Sequence, residues 1–425
     1  MFLVMASWIH SGSRADQPVF TPLPPYGASR VSAVAVSSNQ LCVGFAFNPP
    51  VTAPITPPLA QWDGNAWSPL GAGLQPFSQN LNVSAIARSA NNLFVAGVFI
   101  TPDGLATNLA VWNGEQWSGL GSGLDSVYDF VGAFARVSAM AVIGNDLYVG
   151  GDFTIAGGHA ITNIARWNGN DWFRVGAGIP NNGDVYCMAV AGNNLFVGGH
   201  GIMGSQGIAK WDGTNWSSLG SGLGGDVTAI TTSGNTVYAG GGEFTTSKIA
   251  RWDGAAWSPL GAGLTLVPGC LSCSVQALAI AGSDLYVAGE FTEAGGVPVN
   301  GFAKWDGTQW TSINLGVSNP PAVIAVVGTN TLYVGGPTFN RATGAYLLRG
   351  DLSPVLPPSL AIAVTPNNTA IVTWPSIANT NLQQTSDLGS TNWLVPTETV
   401  NDNGVNQSIL INLSGGHRFF RLAKP

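Results

Sequence analysis

The sequence predicts an all-β fold: a seven-bladed β-propeller with four-stranded blades over residues 18–353, followed by a small β-sandwich over 360–425. Three observations carry this. A Trp-Asp/Asn-Gly-x-x-Trp core recurs at Trp62/Trp67, Trp112/Trp117, Trp167/Trp172, Trp211/Trp216, Trp252/Trp257 and Trp305/Trp310. These six pairs take 12 of the 15 tryptophans, so the spacing is structural and not compositional. A second signature, a Val-x-Ala alternation, a Gly/Asn turn and a Leu-Tyr/Phe-Val-Gly-Gly run, appears seven times between Val31 and Gly336. Finally, charged residues make up only 9 % of the chain and glycine is abundant (57 residues). That composition suits short strands and tight turns and does not suit helices.

The elements follow in order within each unit. Successive first tryptophans lie 50, 55, 44, 41 and 53 residues apart, a propeller-length period with insertions. In the unit near 185–219, alternation predicts strands over 185–190 and 195–199, joined by a Gly-Asn turn. Further strands are predicted over 208–211 and 216–219, with Asp212-Gly213 supplying the positive φ angles of a tight hairpin. The seventh unit has a degraded third strand over 346–352 and no tryptophan-led fourth strand. Residues 18–23 (PVFTPL) stand where a fourth strand is expected, so the N-terminal strand is predicted to close the last blade and protect its open edge.

Beyond Asp351 the texture changes. Pro354, Pro357 and Pro358 mark a linker over 354–359. Short alternating runs then predict strands over 360–364, 370–374, 381–384, 407–413 and 417–422. At the other end, residues 1–17 read as a leader or truncated signal segment, with an apolar run over 2–9 that lacks the usual positive start.

Charge excludes several functions. The net charge is −7, and the 15 Lys+Arg form no basic run, so nucleic acid and anionic membrane surfaces are not expected partners. No apolar stretch approaches the roughly 20 residues of a membrane-spanning helix, so no membrane insertion is expected. Cys42 and Cys187 stand alone, while Cys270 and Cys273 form one close pair, read as a local disulfide or two free thiols. A zinc site wants a second pair, so no metal centre is predicted.

Loop lengths place the function. The turns between strands one and two and between three and four are short, whereas the connections two-to-three and four-to-one vary widely. In a radial blade the variable connections share one face, a common way to build a binding surface on a rigid scaffold. The residues just before strand one, among them Arg30, Arg136, Asp184 and Asp226, are expected to line the channel mouth on that face. Asp152, His200, Glu243 and Glu290 follow the Gly-Gly of strand two. Acids recurring at one structural position suit a polar ligand or a cation such as Ca2+. The alternative is that they are solvated strand ends, or pair with Arg30 and Arg136. The tryptophans recur too strictly for a sugar-stacking platform and are expected to pack between blades.

Enzyme signatures are missing: there is no Gly-x-Ser-x-Gly elbow, no His-Glu-x-x-His and no phosphate loop. The four histidines, His10, His159, His200 and His417, mark out no triad. Paired channel acids remain open as glycosidase chemistry, which needs only two suitably placed carboxylates.

The combined unit is LYVGG-x-FT-x-AGG followed by IARWDG-x-x-W-x-x-LGSGL, and Val149–Thr154 with Ala156–Gly158 and Tyr286–Thr292 with Ala294–Gly296 carry it nearly letter for letter. It resembles the propeller repeats of secreted bacterial proteins and is similar to the fungal cortical polarity-marker (Rax2-like) repeats; kelch and galactose-oxidase propellers are more distant in style. The resemblance covers 18–353 and implies an extracytoplasmic or surface setting. In the tail, VTWPS at 372–376, LQQTSDLGSTNW at 382–393 and FFRL at 419–422 resemble the fibronectin type III-like module of secreted bacterial proteins. The reading is a monomeric, secreted or cell-surface binding or adhesion scaffold without cofactor, its loop face taking a polysaccharide or protein ligand. The alternative is a carbohydrate-active hydrolase or lyase with acids at the channel mouth.

Overall fold

The computed structural model describes residues 18–26, 30–37, 40–47, 58–70, 74, 81–101, 104, 108–126, 135–179, 183–203, 206–242, 247–267, 274–340, 345–352, 361–365, 367, 369–375, 381–386, 392–403, 406–412 and 418–423. Residues 1–17, read above as a leader, residues 354–359, read as a linker, and Glu243, Cys270 and Cys273 lie outside them. The chain divides into two compact units, one spanning Pro18–Leu352 and the other holding the described residues beyond Ser353.

The larger unit is built of antiparallel four-stranded arrays. The pattern is seen in the sheet of Val185–Ala191, Asn194–Gly199, Ile208–Trp211 and Trp216–Ser218, whose strands pair in chain order. Sheets beginning at Arg136–Ile143, Val227–Ser233 and Val275–Ala281 repeat it. Two more such arrays, beginning at Arg30–Ser37 and Leu81–Arg88, merge into one sheet through Ala46↔Asn82 and Phe47↔Leu81. The remaining array consists of Val323–Val327, Thr331–Asn340 and Ala345–Asp351, with Phe20–Pro22 as its outermost strand in register Phe20↔Gly350. Here the two ends of the unit share one sheet, as the missing fourth strand of the seventh repeat requires.

First strands pack side by side in chain order, and Val323–Val327 returns to touch Arg30–Ser37. Together they line one central channel with a volume of about 310 Å³. Four-stranded sheets arranged radially around a channel are a β-propeller.

The Gly-Gly of strand two follows from this packing. A Cβ on Gly150 would collide with Val185 of the next sheet, and one on Gly151 with the carbonyl of Arg136. The first glycine therefore lets adjacent sheets approach. The second accommodates the bulge that interrupts strand one between Val137 and Ala139. At that bulge the x of Val-x-Ala turns a hydroxyl to the next sheet: Ser32 Oγ donates to the Val83 carbonyl (2.6 Å), Ser84 Oγ to Val137 (2.7 Å) and Thr228 Oγ1 to Val275 (2.5 Å).

The tryptophans tie the outer strands together. Within each hairpin the two rings sit 5.1–5.5 Å apart at tilted angles. The second ring also reaches back to the preceding sheet: Trp172 Nε1 donates to the Leu120 carbonyl (2.9 Å), Trp216 to Val175 (2.9 Å), Trp257 to Leu219 (2.8 Å) and Trp310 to Leu260 (2.8 Å). Leu120 and Leu260 belong to the recurring Leu-Gly-x-Gly-Leu runs, so that motif is the socket for the next sheet's tryptophan.

The Trp-Asp-Gly turn departs from the expected tight hairpin. Trp211 pairs with Trp216, leaving four residues in the loop, and within it only Gly213 has positive φ (97°). The Asp212 carboxylate closes the loop instead, accepting from the Thr214 and Asn215 amides at 2.8 and 2.7 Å. Asn113 and Asn168 do the same with their side-chain carbonyls, which explains why Asp and Asn interchange there.

The smaller unit contains a four-stranded sheet, ordered Ala361–Thr365, Thr369–Pro375, Asn406–Asn412, Asn401–Asp402, and a pair, Asn381–Thr385 with Phe419–Ala423. Residues of both bury one core of Ala370, Val372, Trp374, Leu382, Ile409 and Phe420.

Candidate binding site at the channel mouth

Strand one begins on the face that carries the variable connections. Direct pairing unites those connections: Leu124–Asp125, leaving one sheet, joins Ile155–Ala156 and His159–Ala160 within the next sheet's two-to-three connection. Leu264–Leu266 joins Phe291–Ala294 and Val297–Pro298 in the same way. These small three-stranded sheets escaped the sequence reading because their runs are only two to four residues long. The FT-x-AGG signature marks them.

Register brings the two predicted rings of site residues together. Arg136 is the cross-strand partner of Asp152, the His200 amide donates to the Asp184 carbonyl (2.9 Å), and the Glu290 amide donates to Ser274 (3.1 Å). Positions before strand one and after strand two are thus neighbours at one rim. The pairing Val227↔Gly241 places Gly242 at the position corresponding to Asp152, one residue short of Glu243.

Five of the predicted residues converge: Arg136 and Asp152 from one sheet, Asp184 and His200 from the next, and Asp226 from the third. His200 Nδ1 lies 2.8 Å from Asp226 Oδ1, a hydrogen bond between adjacent sheets that becomes an ion pair when the imidazole is protonated. Its side chains are 59 % and 27 % exposed, so the pair sits at the water boundary and contributes little to stability. Asp184 is half-buried beneath them. Burial pushes its carboxyl above the usual range, and the charges of Asp152 and Asp226 push the same way against His200 and Arg136. Glu290 stands apart from these, accepting from Gln276 Nε2 at 3.2 Å within its own sheet. Arg30 begins its strand exposed, opposite Ala46.

Below the rim, strand one runs down the channel wall. Ser32, Ser84, Ser138, Tyr186, Thr228 and Gln276 come first, then a ring of mostly alanine, then Val34, Ile86, Met140, Met188, Ile230 and Leu278. A charged mouth therefore leads past a polar collar to an aliphatic one. This layering was hidden from sequence reading, because alternation assigns every second residue of a strand to a core and cannot tell a channel from packed interior.

Cys42 is buried and Cys187 half-buried, and both thiols are free. Burial pushes both thiols up, away from the reactive thiolate. Among the described residues, no group of three or more His, Cys, Asp or Glu is arranged to hold a metal ion.

No family model matches the chain, and no curated protein matches it. Among solved structures, the chain is similar to a chain in the crystal structure of BBS1N in complex with ARL6DN, at 12 % identity and a TM-score of 0.43, covering 80 % of this chain and 97 % of that one. It is similar to the β-propeller domain of the Trilobed protease from Pyrococcus furiosus, at 10 % identity and a TM-score of 0.38, covering 67 % and 98 %. A computationally designed protein, Ika4, matches at 20 % identity and a TM-score of 0.26, covering 40 % and 92 %.

Proposed function

We propose that this chain is a non-catalytic binding or adhesion scaffold, secreted or displayed at a cell surface. In this reading its radial sheets form a seven-bladed propeller of the Rax2-like repeat type. Its C-terminal unit is a fibronectin type III-like sandwich that serves as a spacer. The ligand, a polysaccharide or an extracellular protein, docks on the face of variable connections over the channel mouth. The observation that carries this reading is the convergence of Arg136, Asp152, Asp184, His200 and Asp226 from three consecutive sheets at that mouth. They stand on strand ends held by the ring rather than on mobile tips, so they meet a ligand preorganised.

A second reading rests on Asp184. A carboxyl raised by burial and flanked by two further acids is what a glycosidase uses as its general acid. A glycan and polysaccharide array, run with and without calcium and followed by product analysis, separates the two. Binding without turnover, weakened by Asp152→Asn and Asp226→Asn, supports the scaffold. Shortened sugars that disappear with Asp184→Asn sink it in favour of the hydrolase. Binding that ignores all three substitutions removes the mouth from either role.

A further inference from the structure

The loops between paired tryptophans form an internal comparison. Four are closed by aspartate (Asp63, Asp212, Asp253 and Asp306) and two by asparagine (Asn113 and Asn168), each followed by glycine. Asn113 Oδ1 accepts from the Glu115 and Gln116 amides, both at 2.9 Å, and Asn168 Oδ1 from the Asn170 and Asp171 amides at 2.9 and 2.8 Å. Two fixed backbone donors on one carbonyl oxygen are the arrangement that stabilises the oxyanion formed when a nucleophile adds to that carbonyl. The bond to the amide two residues on also folds the side chain over the following peptide, bringing Cγ towards the glycine nitrogen. Gly114 and Gly169 are exposed, have φ of 103° and 99°, and leave open space where a Cβ would stand. Among the described residues neither donates its amide to a partner, so no hydrogen bond opposes loss of the amide proton. Asn300-Gly301 is the same dipeptide in another setting. Gly301 is buried, its amide donates to the Phe291 carbonyl at 3.0 Å, and a Cβ on it would collide with the Gly289 carbonyl. Asn300 spends its side chain through Nδ2, which donates to the Val317 carbonyl at 2.9 Å.

We infer that Asn113 and Asn168 are modification sites, at which the folded loop promotes hydrolysis of its own side-chain amide to aspartate with water as the co-reactant. The glycine nitrogen, its proton lost to solvent, attacks Cγ, and the two amides hold the oxyanion that forms at Oδ1. The oxyanion collapses, the Cγ–Nδ2 bond breaks, and Nδ2 takes a proton from water and leaves as ammonia. A cyclic imide remains, with Cγ bonded to the glycine nitrogen. Water then adds to Cγ, whose oxygen faces the same two donors. The Cγ–N bond breaks, the nitrogen regains a proton, and a side-chain carboxylate results; nothing is oxidised or reduced. The product matches the sister loops. There Asp63, Asp212, Asp253 and Asp306 accept the equivalent amides, and those bonds hold their carboxyls below the usual range. Addition of water to the main-chain carbonyl would instead insert a methylene into the backbone. That would disturb the register Trp112↔Trp117 or Trp167↔Trp172, so the fold favours aspartate over isoaspartate. Each event adds one negative charge to the loop rim of its sheet.

The test is peptide mapping by mass spectrometry of the full chain, incubated at mildly alkaline pH either folded or unfolded in guanidinium. In the folded chain Asn113 and Asn168 are expected to lose ammonia at least about tenfold faster than Asn300. They are also expected to react no more slowly than in the unfolded chain, where the three sites behave alike. The ratio of aspartate to isoaspartate at both loops, separated by chromatography, is expected to be higher in the folded chain. Equal folded rates at the three sites overturn the inference. Folded rates at Asn113 and Asn168 below the unfolded ones also overturn it, since the two hydrogen bonds would then be holding Cγ away from the nitrogen. An isoaspartate excess in the folded chain overturns the part assigned to the donors in the second step.

Discussion

Replacing Trp172 by phenylalanine tests how the propeller is held together. Trp172 is 5 % exposed and packs in the cluster that joins its own sheet to the preceding one. Its Nε1 donates to the Leu120 carbonyl at 2.9 Å, and Leu120 is itself 1 % exposed. Phenylalanine keeps the ring near Trp167 but removes the donor. The Leu120 carbonyl keeps the Gly123 amide at 3.1 Å, so what is lost is one of its two hydrogen bonds, about 0.5–1.5 kcal/mol. The smaller ring gives up roughly 40 Å² of apolar contact, about 1 kcal/mol. The sum is about 1.5–2.5 kcal/mol, with any cavity term adding to it. The assay is equilibrium denaturation by guanidinium, with midpoints compared at matched slope. Trp67→Phe is the internal control: its Nε1 donates to the Pro24 carbonyl at 2.8 Å, but the bond is exposed, so the expected loss is about 1 kcal/mol or less. Equal midpoint shifts for the two variants, or a Trp172→Phe shift equivalent to less than about 0.5 kcal/mol, would refute the argument that the indole is an inter-sheet tie.

Three further outcomes follow from the same geometry. Thr228→Val removes the hydroxyl that donates to Val275 across adjacent sheets, and a loss of about 1 kcal/mol is expected in the same denaturation assay. Phe20→Ala strips the outermost strand of a ring set edge-on to Phe302 at 6.0 Å and packed against Gly350; about 2–3 kcal/mol and earlier thermal unfolding are expected. The acids give opposite pH signatures. The Asp306 carboxyl is held down to about 2 by the Gln309 amide, the Thr308 hydroxyl and the Thr308 amide, so its contribution is complete above 3.8 and lost as pH falls towards 2. Asp184 is raised, so the fold loses stability as pH rises from 3.8 through its higher native value; Asp184→Asn removes that slope and melts higher than wild type at neutral pH. A lower melting point for Asp184→Asn at pH 7 would contradict this assignment.

Much of the architecture was legible in the chain because local chemistry repeats. Strand boundaries follow from period-two alternation bounded by glycine, as at Val185–Ala191 and Asn194–Gly199. The missing fourth strand of the last repeat points to Phe20–Pro22 as its completion. Recurrence alone separated the tryptophans from a ligand platform, since a residue required in every unit serves what every unit shares. The hairpin between paired tryptophans was misjudged: Asp-Gly was read by its backbone freedom, whereas the Asp side chain closes a four-residue loop by accepting two amides.

The site was legible only as a list of positions. Which acids meet depends on register and on the neighbour across each sheet boundary, and those are non-local. Sequence could place Asp184 and Asp226 at equivalent points of adjacent repeats, but only the ring sets His200 against Asp226 and Asp152 beside Asp184. It likewise left Glu290 with Gln276 on its own sheet. Hydrophobic periodicity gave the faces of each strand, because a side chain's direction is fixed by its own backbone. Whether a face meets packed interior, a water-filled channel or a ligand depends on the other sheets of the ring, and tertiary structure alone decided that.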